Sequence, residues 1–392
     1  MIQILLKAGK EEPVKRFHPW IFSGAIGKVI GTPEDGDVVT VFSNKREFLG
    51  IGHYQNGSIT VRICAFEECE LNLDFWISRL QKAYDYRVAV GIATDDATNC
   101  FRFIHGEGDS LPSLIIDVYN DTAVIQCHSI GMHKSRQLIA EALMQVLGNR
   151  IKAVYDKSYE TLPDKYAKTI GNQYLIGTSE PNVVLENNIK FNIDWVTGQK
   201  TGFFLDQRDN RALISRYSKG KTVLNAFCYS GGFSVYALQA GAKHVDSVDV
   251  SAKAIELTDK NVSLNGDFGD RHQSFAQDVM PYLKQNEKAY DVMIVDPPAF
   301  AKSMDKRHNA VQGYKRLNAL ALSQIAKGGI LFTFSCSQVV DRQLFYNTIV
   351  AAAIEAKRHV RVMHHLTQPA DHPTSLFHPE GSYLKGLVLF VE

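Results

Sequence analysis

The stretch Val223–Ser251, VLNAFCYSGGFSVYALQAGAKHVDSVDVS, decides the fold of this chain. A short apolar run stops at Ser230–Gly232, a helix-like segment follows over Phe233–Ala240, and a second strand ends at Asp249. A crossover helix returns the chain beside its starting strand, so this order predicts two parallel strands. Glycines at the first turn admit a ligand to the backbone, and an acidic residue after the second strand can accept hydrogen bonds from ribose hydroxyls. The stretch therefore predicts a nucleoside cofactor of unspecified kind, and a nucleotide-free sheet stays open as the alternative.

Length and composition place this stretch in a larger protein. The chain has 392 residues, more than one ordinary domain, and its apolar fraction of 45% is enough for a sizeable core. No apolar run is as long as a membrane span, and the run after Met1 is too short for a signal peptide. The sequence therefore predicts a cytoplasmic protein with no membrane partner. Six cysteines show no C-x-x-C pair and no ligand-like histidine spacing, so no metal site is predicted.

Three successive patterns predict three domains. Residues 1–70 contain short strand-like segments separated by turn residues, which is typical of a small β-barrel. Residues 71–181 mix two amphipathic helices with short strands and predict an α+β middle domain. Over residues 182–392 strands and helices alternate through seven strands, which predicts a doubly wound, Rossmann-like α/β sheet.

The predicted barrel is interrupted by KRFHPWIFSGAI, which mixes cationic and aromatic side chains. Such a mixture suits phosphate contact and base stacking. Residues 1–31 also carry five cations against two carboxylates, although the whole chain has a net charge of only +1. We therefore predict RNA contacts by Lys15, Arg16, His18 and Trp20, while a place in the core explains the aromatic residues equally well.

Polar or reactive side chains stand at the ends of four predicted strands. Asp249, Asp278, Asp296 and Cys336 end the second to fifth strands of the α/β region. Ligands in such sheets bind outside the carboxyl ends of the strands, so these four side chains are expected on one edge. A helix cap would explain any one of the aspartates alone.

Asp296-Pro297-Pro298-Ala299-Phe300 is the most informative short segment. Two prolines after a buried strand fix a rigid turn without amide donors, which leaves the Asp296 carboxylate and the Pro297 carbonyl facing the cleft. The segment resembles the fourth motif of nucleic-acid methyltransferases that use S-adenosylmethionine. The thiolate of Cys336 could then add to carbon 6 of a pyrimidine and make carbon 5 nucleophilic. A helix predicted to begin directly after Cys336 would lower its pKa, whereas an inert buried cysteine is the alternative.

Over its whole length the chain resembles the bacterial 23S ribosomal RNA 5-methylcytosine methyltransferases of the large-subunit methyltransferase I type. KRFHPWIFSGAI resembles their N-terminal PUA domain, and HGEGDSLPSLIID resembles their middle domain. Their catalytic domain is matched by KTGFFLDQR, NAFCYSGGF, DPPAF, QGYKRLN, FSCS and the closing ADHP and EGSYLKG.

This resemblance implies S-adenosylmethionine as cofactor, with S-adenosylhomocysteine as product. Asp249 would bind the ribose and Asp278 the adenine amino group, while Arg208 would order the loop over the cofactor. The implied cofactor site comprises Phe204, Asn225, Phe227, Tyr229, Ser230, Gly231, Gly232, Asp249, Ser251, Asp278, Asp296 and Pro297.

It also implies 23S ribosomal RNA as the substrate and partner. Cys336 would be the nucleophile, and Asp296 would assist protonation of cytosine N3. The run 301–316 carries a net charge of +4 and would bind the RNA through Lys302, Arg307, Tyr314, Lys315 and Arg316. DPPAF lacks the second cysteine that many such enzymes use for product release, so the base that removes the proton from carbon 5 stays unassigned.

Three other functions compete with this one. A methyltransferase acting on a base nitrogen would share the D-P-P-aromatic motif but would not need Cys336. A nicotinamide dehydrogenase would explain Asp249 but not DPPAF, and a catalytically inactive RNA-binding relative would not need the complete set of site residues. The target cytosine, the assembly stage of the substrate and the oligomeric state, a homodimer included, stay open.

Overall fold

The computed structural model describes residues 2–286, 288–301 and 303–392, which form two compact units. The first unit contains the chain up to Val184 together with Ile193–Leu205 and Ala370–Gly381. The second contains Leu185–Asn192, Asp206–Pro369 and Ser382–Glu392. Among the described residues, no helix is both long and apolar enough to cross a membrane.

The first unit begins with a six-stranded sheet in the order β2-β6-β5-β4-β1-β3. Its apolar core includes Ile4, Val39 and Val61, all fully buried. A short helix, α1 (Glu12–Lys15), lies between the first two strands. The strands are β1 (Ile2–Leu6), β2 (Trp20–Phe22), β3 (Ile26–Ile30), β4 (Val38–Phe42), β5 (Phe48–Tyr54) and β6 (Ile59–Ala65).

A five-stranded sheet with flanking helices follows, in the order β11-β10-β9-β8-β7. Asn72 and Ser129 begin the two long helices by accepting hydrogen bonds from backbone N–H groups of the first turn, as N-cap residues do. The strands are β7 (Cys100–His105), β8 (Leu114–Tyr119), β9 (Thr122–Cys127), β10 (Ala153–Asp156) and β11 (Gln173–Ile176), and the helices are α2 (Leu73–Ala89), α3 (Ile130–Leu147) and α4 (Asp164–Ala167).

A hairpin of β12 (Val183–Glu186) and β13 (Ile189–Asn192) precedes a seven-stranded sheet in the order β16-β15-β14-β17-β18-β20-β19. The first five strands along the chain pair in parallel, whereas β20 is antiparallel to both of its neighbours. The strands are β14 (Thr222–Ala226), β15 (His244–Asp249), β16 (His272–Ala276), β17 (Tyr290–Val295), β18 (Ile325–Ser335), β19 (Val360–Leu366) and β20 (Lys385–Val391).

Helices connect the strands of this sheet and cover it. The central strands β14 and β17 are almost wholly buried and rich in Val, Leu and Ile, as expected for a parallel sheet with helices on its faces. The helices are α5 (Arg208–Ser218), α6 (Gly232–Gln239), α7 (Ala252–Leu264), α8 (Val279–Gln285), α9 (Arg307–Gln324) and α10 (Arg342–Glu355).

The predicted fold class is confirmed, with local differences. The helix predicted over residues 311–326 begins earlier, at Arg307, and ends at Gln324. Strand β18 begins directly afterwards at Ile325, five residues before the predicted start, because Ile325 already pairs with Tyr290 of β17. The register then shifts before Ile330 pairs with Val292, and Gly328 in between has a φ of 79°. The domain boundaries near residues 70 and 181 stay a prediction.

A buried ion pair joins distant segments inside the first unit. Arg87, at the end of α2, is fully buried and pairs through both terminal nitrogens with the Asp109 carboxylate. The same guanidinium donates to the backbone carbonyls of Arg102 at 3.0 Å and Asp371 at 2.8 Å. Arg87 therefore fastens the segment Ala370–Gly381 to the α+β part of the unit.

We expect Arg87→Ala to lower the free energy of unfolding by about 3–5 kcal/mol, because it leaves the Asp109 carboxylate buried without its partner. Urea denaturation followed by circular dichroism measures the change. Lys152→Ala is the matched control, since Lys152 is 62% exposed in its ion pair with Asp121 and should contribute little. Equal effects of the two substitutions would contradict the proposed role of Arg87.

Candidate cofactor and catalytic site

The loop after β14 has an unusual backbone that is held by Asp249. Phe227 and Tyr229 have φ angles of 61° and 46°, a left-handed conformation that is uncommon outside glycine. The Asp249 carboxylate, at the end of β15, accepts a hydrogen bond from the Tyr229 N–H at 3.1 Å and from the Ser251 N–H at 2.9 Å. The strained loop and the carboxylate are therefore fixed together at the edge of the sheet.

The two glycines of this loop are required by the fold itself. Gly231 has a φ of 72°, and a Cβ there would lie 2.6 Å from the Thr258 Cγ2. A Cβ at Gly232 would lie 2.7 Å from the Cδ of Arg211, whose guanidinium is paired with Glu186 at 2.7 Å. The close packing of α6 against α5 and α7 therefore requires glycine at both positions, in addition to any access for a ligand.

Asp278 and Ser251 begin helices in addition to any contact with a ligand. Asp278 is exposed, and its carboxylate accepts from the Met280 N–H at 2.7 Å at the start of α8. Ser251 is also exposed and accepts from the Ala254 N–H at 3.3 Å at the start of α7. Each carboxylate or hydroxyl keeps further acceptor capacity toward solvent.

Two other predicted cofactor contacts, Asn225 and Phe204, have different surroundings. Asn225 is 1% exposed inside the sheet, where its amide donates to the Ser234 hydroxyl at 2.8 Å. A direct contact of Asn225 with a cofactor does not fit this burial, and we assign it to anchoring α6 on β14. Phe204 is half-buried and belongs to the first unit rather than to the unit that contains the loop.

Asp296 follows β17 and lies in a desolvated position. Its carboxylate accepts a hydrogen bond from the Gln207 side-chain amide at 2.9 Å, and Gln207 is in turn held by Asn210 at 2.6 Å. Burial raises the pKa of Asp296 to about 7, with a further contribution from the negative charge of Asp206, while Gln207 and Arg211 oppose the change. Asp296 can therefore hold or release a proton near neutral pH.

Cys336 directly follows β18 and is half-buried. The expectation of a lowered pKa is wrong, because α10, which begins at Arg342, does not offset the burial of the thiol. Burial instead raises the pKa of Cys336 to about 11, and the negative charges of Asp296 and Asp206 contribute in the same direction. The thiol is therefore protonated at rest, and its charge is coupled to that of Asp296.

Lys385 is a site residue that the sequence analysis quoted within EGSYLKG but did not single out. Antiparallel pairing of β20 places it opposite Ser335, one position before Cys336. Its ammonium donates to the Ser337 carbonyl at 2.8 Å and to the Tyr383 carbonyl at 2.6 Å. Burial lowers the pKa of Lys385 to about 8, opposed by the charge of Cys336. A buried positive charge thus stands beside the thiol.

Tyr383 extends this group toward Asp206. Its hydroxyl donates to the Asp206 carboxylate at 2.6 Å, and Asp206 lies in the turn that precedes α5. One electrostatically coupled cluster therefore consists of Asp206, Asp296, Cys336 and Lys385. It is called here the catalytic cluster, after the role proposed for it below. Its residues come from four separate parts of the second unit.

The predicted RNA contacts in α9 differ in burial and in ion pairing. Tyr314 is fully buried with its ring 4.6 Å from that of Phe300, so a direct RNA contact does not fit its position. Arg307 lies 3.5 Å from Asp341, Lys315 pairs with Glu355 at 2.7 Å, and Arg316 is exposed. Lys302 lies outside the described residues.

In the first unit, the four predicted contacts lie close together in sequence but differ in exposure. Lys15 and Arg16 are exposed, and Lys15 pairs with Glu47 at 2.9 Å. Trp20 is half-buried and donates its indole N–H to Glu107 at 2.8 Å, and the His18 ring packs against it. Only the two cations offer fully exposed side chains.

The edge of the sheet has the donors and acceptors that a nucleoside cofactor needs. A half-exposed carboxylate at Asp249 can accept from ribose hydroxyls, and the strained loop presents backbone groups beside it. Asp278 supplies a second carboxylate at the next strand end. The residues therefore fit such a group, with the catalytic cluster at the ends of the strands on the other side of β14.

Comparison with known proteins specifies the cofactor. A family described as S-adenosylmethionine-dependent methyltransferase matches residues 102–379, and a PUA-like domain family matches residues 4–66. The ribosomal RNA large subunit methyltransferase I of Shewanella denitrificans is 40% identical over 99% of this chain and 98% of its own length. That of Aeromonas hydrophila subsp. hydrophila is 39% identical over 98% of each chain.

A solved structure supports the same assignment. It contains a protein assigned as a methyltransferase in complex with S-adenosylhomocysteine, is 25% identical, covers 100% of both chains and superposes with a TM-score of 0.86. The predictions of a PUA-like domain, of a seven-stranded methyltransferase sheet and of S-adenosylmethionine as cofactor are confirmed. With 40% identity over nearly its whole length, the chain belongs to the ribosomal RNA large subunit methyltransferase I family of S-adenosylmethionine-dependent methyltransferases.

Proposed function

We propose that this enzyme transfers a methyl group from S-adenosylmethionine to carbon 5 of a cytosine in 23S ribosomal RNA through a covalent adduct with Cys336. The observation that carries the proposal is the coupling of Cys336 to Asp296, a nucleophile and an acid at neighbouring strand ends. A base-nitrogen methyltransferase needs an acidic group near the base but has no use for a thiol.

The cofactor is held by the loop after β14 and by the ends of β15 and β16. Asp249 binds the ribose hydroxyls, and Asp278 accepts from the adenine amino group. Phe227, Tyr229 and Ser230–Gly232 surround the amino-acid end. S-adenosylmethionine, when bound, supplies an electrophilic methyl group on its sulfonium. The strained backbone supports this role, because strain of this kind persists at ligand sites where the surroundings enforce it.

The catalytic cluster activates the pyrimidine. The Cys336 thiolate forms a bond to carbon 6, and the electron pair of the 5,6 double bond moves toward N3, where Asp296 delivers a proton. Carbon 5 is then nucleophilic enough to take the methyl group. A base that stays unassigned takes the carbon 5 proton, the electron pair of that C–H bond restores the double bond and the thiolate leaves carbon 6, and Asp296 recovers the proton from N3. Its pKa of about 7 suits both directions of this transfer.

Lys385 makes the thiolate attainable. The pKa of Cys336 is about 11 even though the charge of Lys385 lowers it, so the thiol is almost wholly protonated at neutral pH. The Lys385 ammonium, fixed on the Ser337 carbonyl at 2.8 Å, favours the thiolate when the nucleobase enters and displaces water. Lys385 thus acts as a positioning and electrostatic residue for the Cys336 segment.

Basic residues of the PUA-like region and of α9 bind the RNA. Lys15 and Arg16 in the PUA-like region, and Arg307, Lys315 and Arg316 in α9, supply cations for the phosphates. In this view residues 1–70 form an RNA-binding domain, residues 71–181 a middle domain and residues 182–392 the catalytic domain.

Cys336→Ala should reduce methyl transfer to 23S ribosomal RNA by at least about 10⁴-fold, because the nucleophile is lost, while the Kd for S-adenosylmethionine stays within about twofold. Transfer of a labelled methyl group and titration calorimetry measure the two quantities. Cys69→Ala, a partly exposed cysteine of the first unit, is the matched control and should retain full activity.

The covalent step and the position of the methyl group have separate readouts. RNA containing 5-fluorocytidine should form an adduct with the unsubstituted enzyme that persists in a denaturing gel, and none with Cys336→Ala. Nucleoside mass spectrometry of the product should show 5-methylcytosine. Full activity of Cys336→Ala, or a methyl group on a base nitrogen, would refute the mechanism.

Asp249→Ala should raise the Kd for S-adenosylmethionine at least about tenfold, because it removes the ribose acceptor and releases the Tyr229 loop. Calorimetry with the full chain measures the change. Asp259→Ala, which removes an exposed carboxylate of α7, should leave the Kd unaltered. An unchanged Kd in Asp249→Ala would exclude the ribose role.

The pH dependence of kcat/KM for RNA should follow the catalytic cluster. Reaction needs protonated Asp296 together with ionised Cys336, so the rate rises with pH up to about 7, where Asp296 begins to ionise. Between about 7 and 8 the loss of one form balances the gain of the other, and the profile is level. Above about 8 Lys385 loses the charge that favours the thiolate, so the rate should fall.

Asp296→Asn should lower kcat/KM by about 10²–10⁴-fold and change the shape of this profile. The asparagine does not titrate, so the rate should keep rising between pH 7 and about 8, where Lys385 begins to lose its charge. The pKa of Cys336 should itself be lower, since the negative charge of Asp296 no longer raises it. Initial rates across the pH range distinguish the two shapes, and an unchanged profile would show that Asp296 is not the acid.

A further inference from the structure

Two histidines and a glutamate from opposite ends of the chain meet inside the first unit. They are His18, in the segment between α1 and β2, and His378 and Glu380, in the segment Ala370–Gly381. One ligand atom from each residue lies within 4.8 Å of the other two. The sequence predicts no metal site, because the local spacing of histidines gives no sign of a group that only the fold assembles.

His378 is the most telling member of this group. Its side chain is 3% exposed, yet both ring nitrogens are buried and find no hydrogen-bond partner among the described residues. A buried polar group without a partner is costly, typically about 1–3 kcal/mol, so a binding role is the natural explanation. The Trp20 ring packs against the imidazole at a centroid distance of 4.3 Å and restricts its orientation.

The Glu380 carboxylate lies between the two imidazoles. His18 Nε2 lies 3.8 Å from its Oε1, His378 Nε2 lies 3.8 Å from its Oε2, and one ligand atom of each residue lies within 4.8 Å of the other two. Tetrahedral zinc with bonds of roughly 2.0–2.2 Å needs ligand atoms about 3.4 Å apart, so the side chains have to close in by about 1 Å or less on average. Glu380 is exposed and can make this adjustment without disturbing the core.

The surroundings of His18 also suit metal binding. Its Nδ1 lies 3.3 Å from the Trp20 carbonyl and 3.2 Å from the Trp20 N–H. Nδ1 accepts from the Trp20 N–H in one tautomer and donates to the Trp20 carbonyl in the other. Metal binding through Nε2 selects the second tautomer, which is the usual arrangement around ligating histidines. Trp20 is itself anchored by its hydrogen bond to Glu107 at 2.8 Å.

We propose that His18, His378 and Glu380 bind one divalent transition-metal ion, with Zn²⁺ as the best match to two imidazoles and a carboxylate. Three protein ligands leave a fourth position for solvent. The site lies in the first unit, and its ligands are separate from the catalytic cluster, whose residues all lie in the second. It is therefore a binding site additional to methyl transfer, and it can be tested without RNA or S-adenosylmethionine.

The test is titration of the full, chelator-treated chain with Zn²⁺ in the presence of a chromogenic competitor. One equivalent should bind to the unsubstituted protein, and His378→Ala and Glu380→Gln should each weaken binding at least 100-fold. His308→Ala, which removes an exposed histidine of α9, is the matched control and should bind like the unsubstituted protein. Binding that is not stoichiometric, or that survives both substitutions, would overturn the proposal.

Two further measurements identify the ligands. Co²⁺ in the same site should give visible absorption bands of a four- or five-coordinate ion without the intense ultraviolet band of a cobalt–thiolate bond, which excludes binding at cysteine. Zn²⁺ should raise the Tm of the unsubstituted protein but not that of Glu380→Gln. Because Glu380 is exposed, this variant should fold normally, so a loss of binding cannot be attributed to misfolding.

Discussion

The site depends on parallel pairing of β14 with strands on both of its sides. β14 pairs with β15 in one direction and with β17 in the other, so the strand order reverses there. Ala226 lies opposite Val248 on one side and Val295 on the other, and therefore Phe227, Asp249 and Asp296 leave the sheet at nearly the same level. This register puts the residues proposed to bind the cofactor on one side of β14 and those proposed to react on the other, as expected at a topological switch point.

The electrostatics of the catalytic cluster follow from a shared desolvated position. With pKa values of about 7 for Asp296 and about 11 for Cys336, the cluster at rest holds a thiol beside a carboxylate that is easily protonated. In the proposed reaction Cys336 has to lose its proton while Asp296 keeps one for the nucleobase. Ionising a thiol with a pKa of about 11 at neutral pH costs about 5 kcal/mol. This pKa already includes the favourable charge of Lys385, so the entering nucleobase and the addition to carbon 6 have to supply that energy. A raised pKa is consistent with a nucleophile that is kept unreactive between turnovers.

Much of the second unit could be predicted from sequence, because local patterns determine it. Alternating strands and helices fix a parallel sheet, and a parallel sheet fixes which residues share its edge, so Asp249, Asp296 and Cys336 could be placed there from the sequence alone. The sign of the pKa change at Cys336 could not, since it depends on how deeply the thiol is buried and on the charges that the fold brings near it from Asp296 and Asp206. Lys385 could not be placed from the sequence either. Antiparallel pairing of β20 with β18 brings it opposite Ser335, 50 positions earlier in the chain.

The closing segments ADHP and EGSYLKG contain residues that are close in sequence but belong to different units. Ala370–Gly381 belongs to the first unit, although β19 before it and β20 after it belong to the second. Its Asp371 carbonyl accepts from Arg87, and His378 packs against Trp20, whereas Lys385, only seven positions later, stands beside Cys336. Neighbouring residues of one motif therefore serve two different units and two different chemistries. Substitutions between Asp371 and Lys385 should consequently divide by the unit to which each residue belongs, and the boundary at Gly381 separates metal binding and stability of the first unit from the chemistry of the thiol.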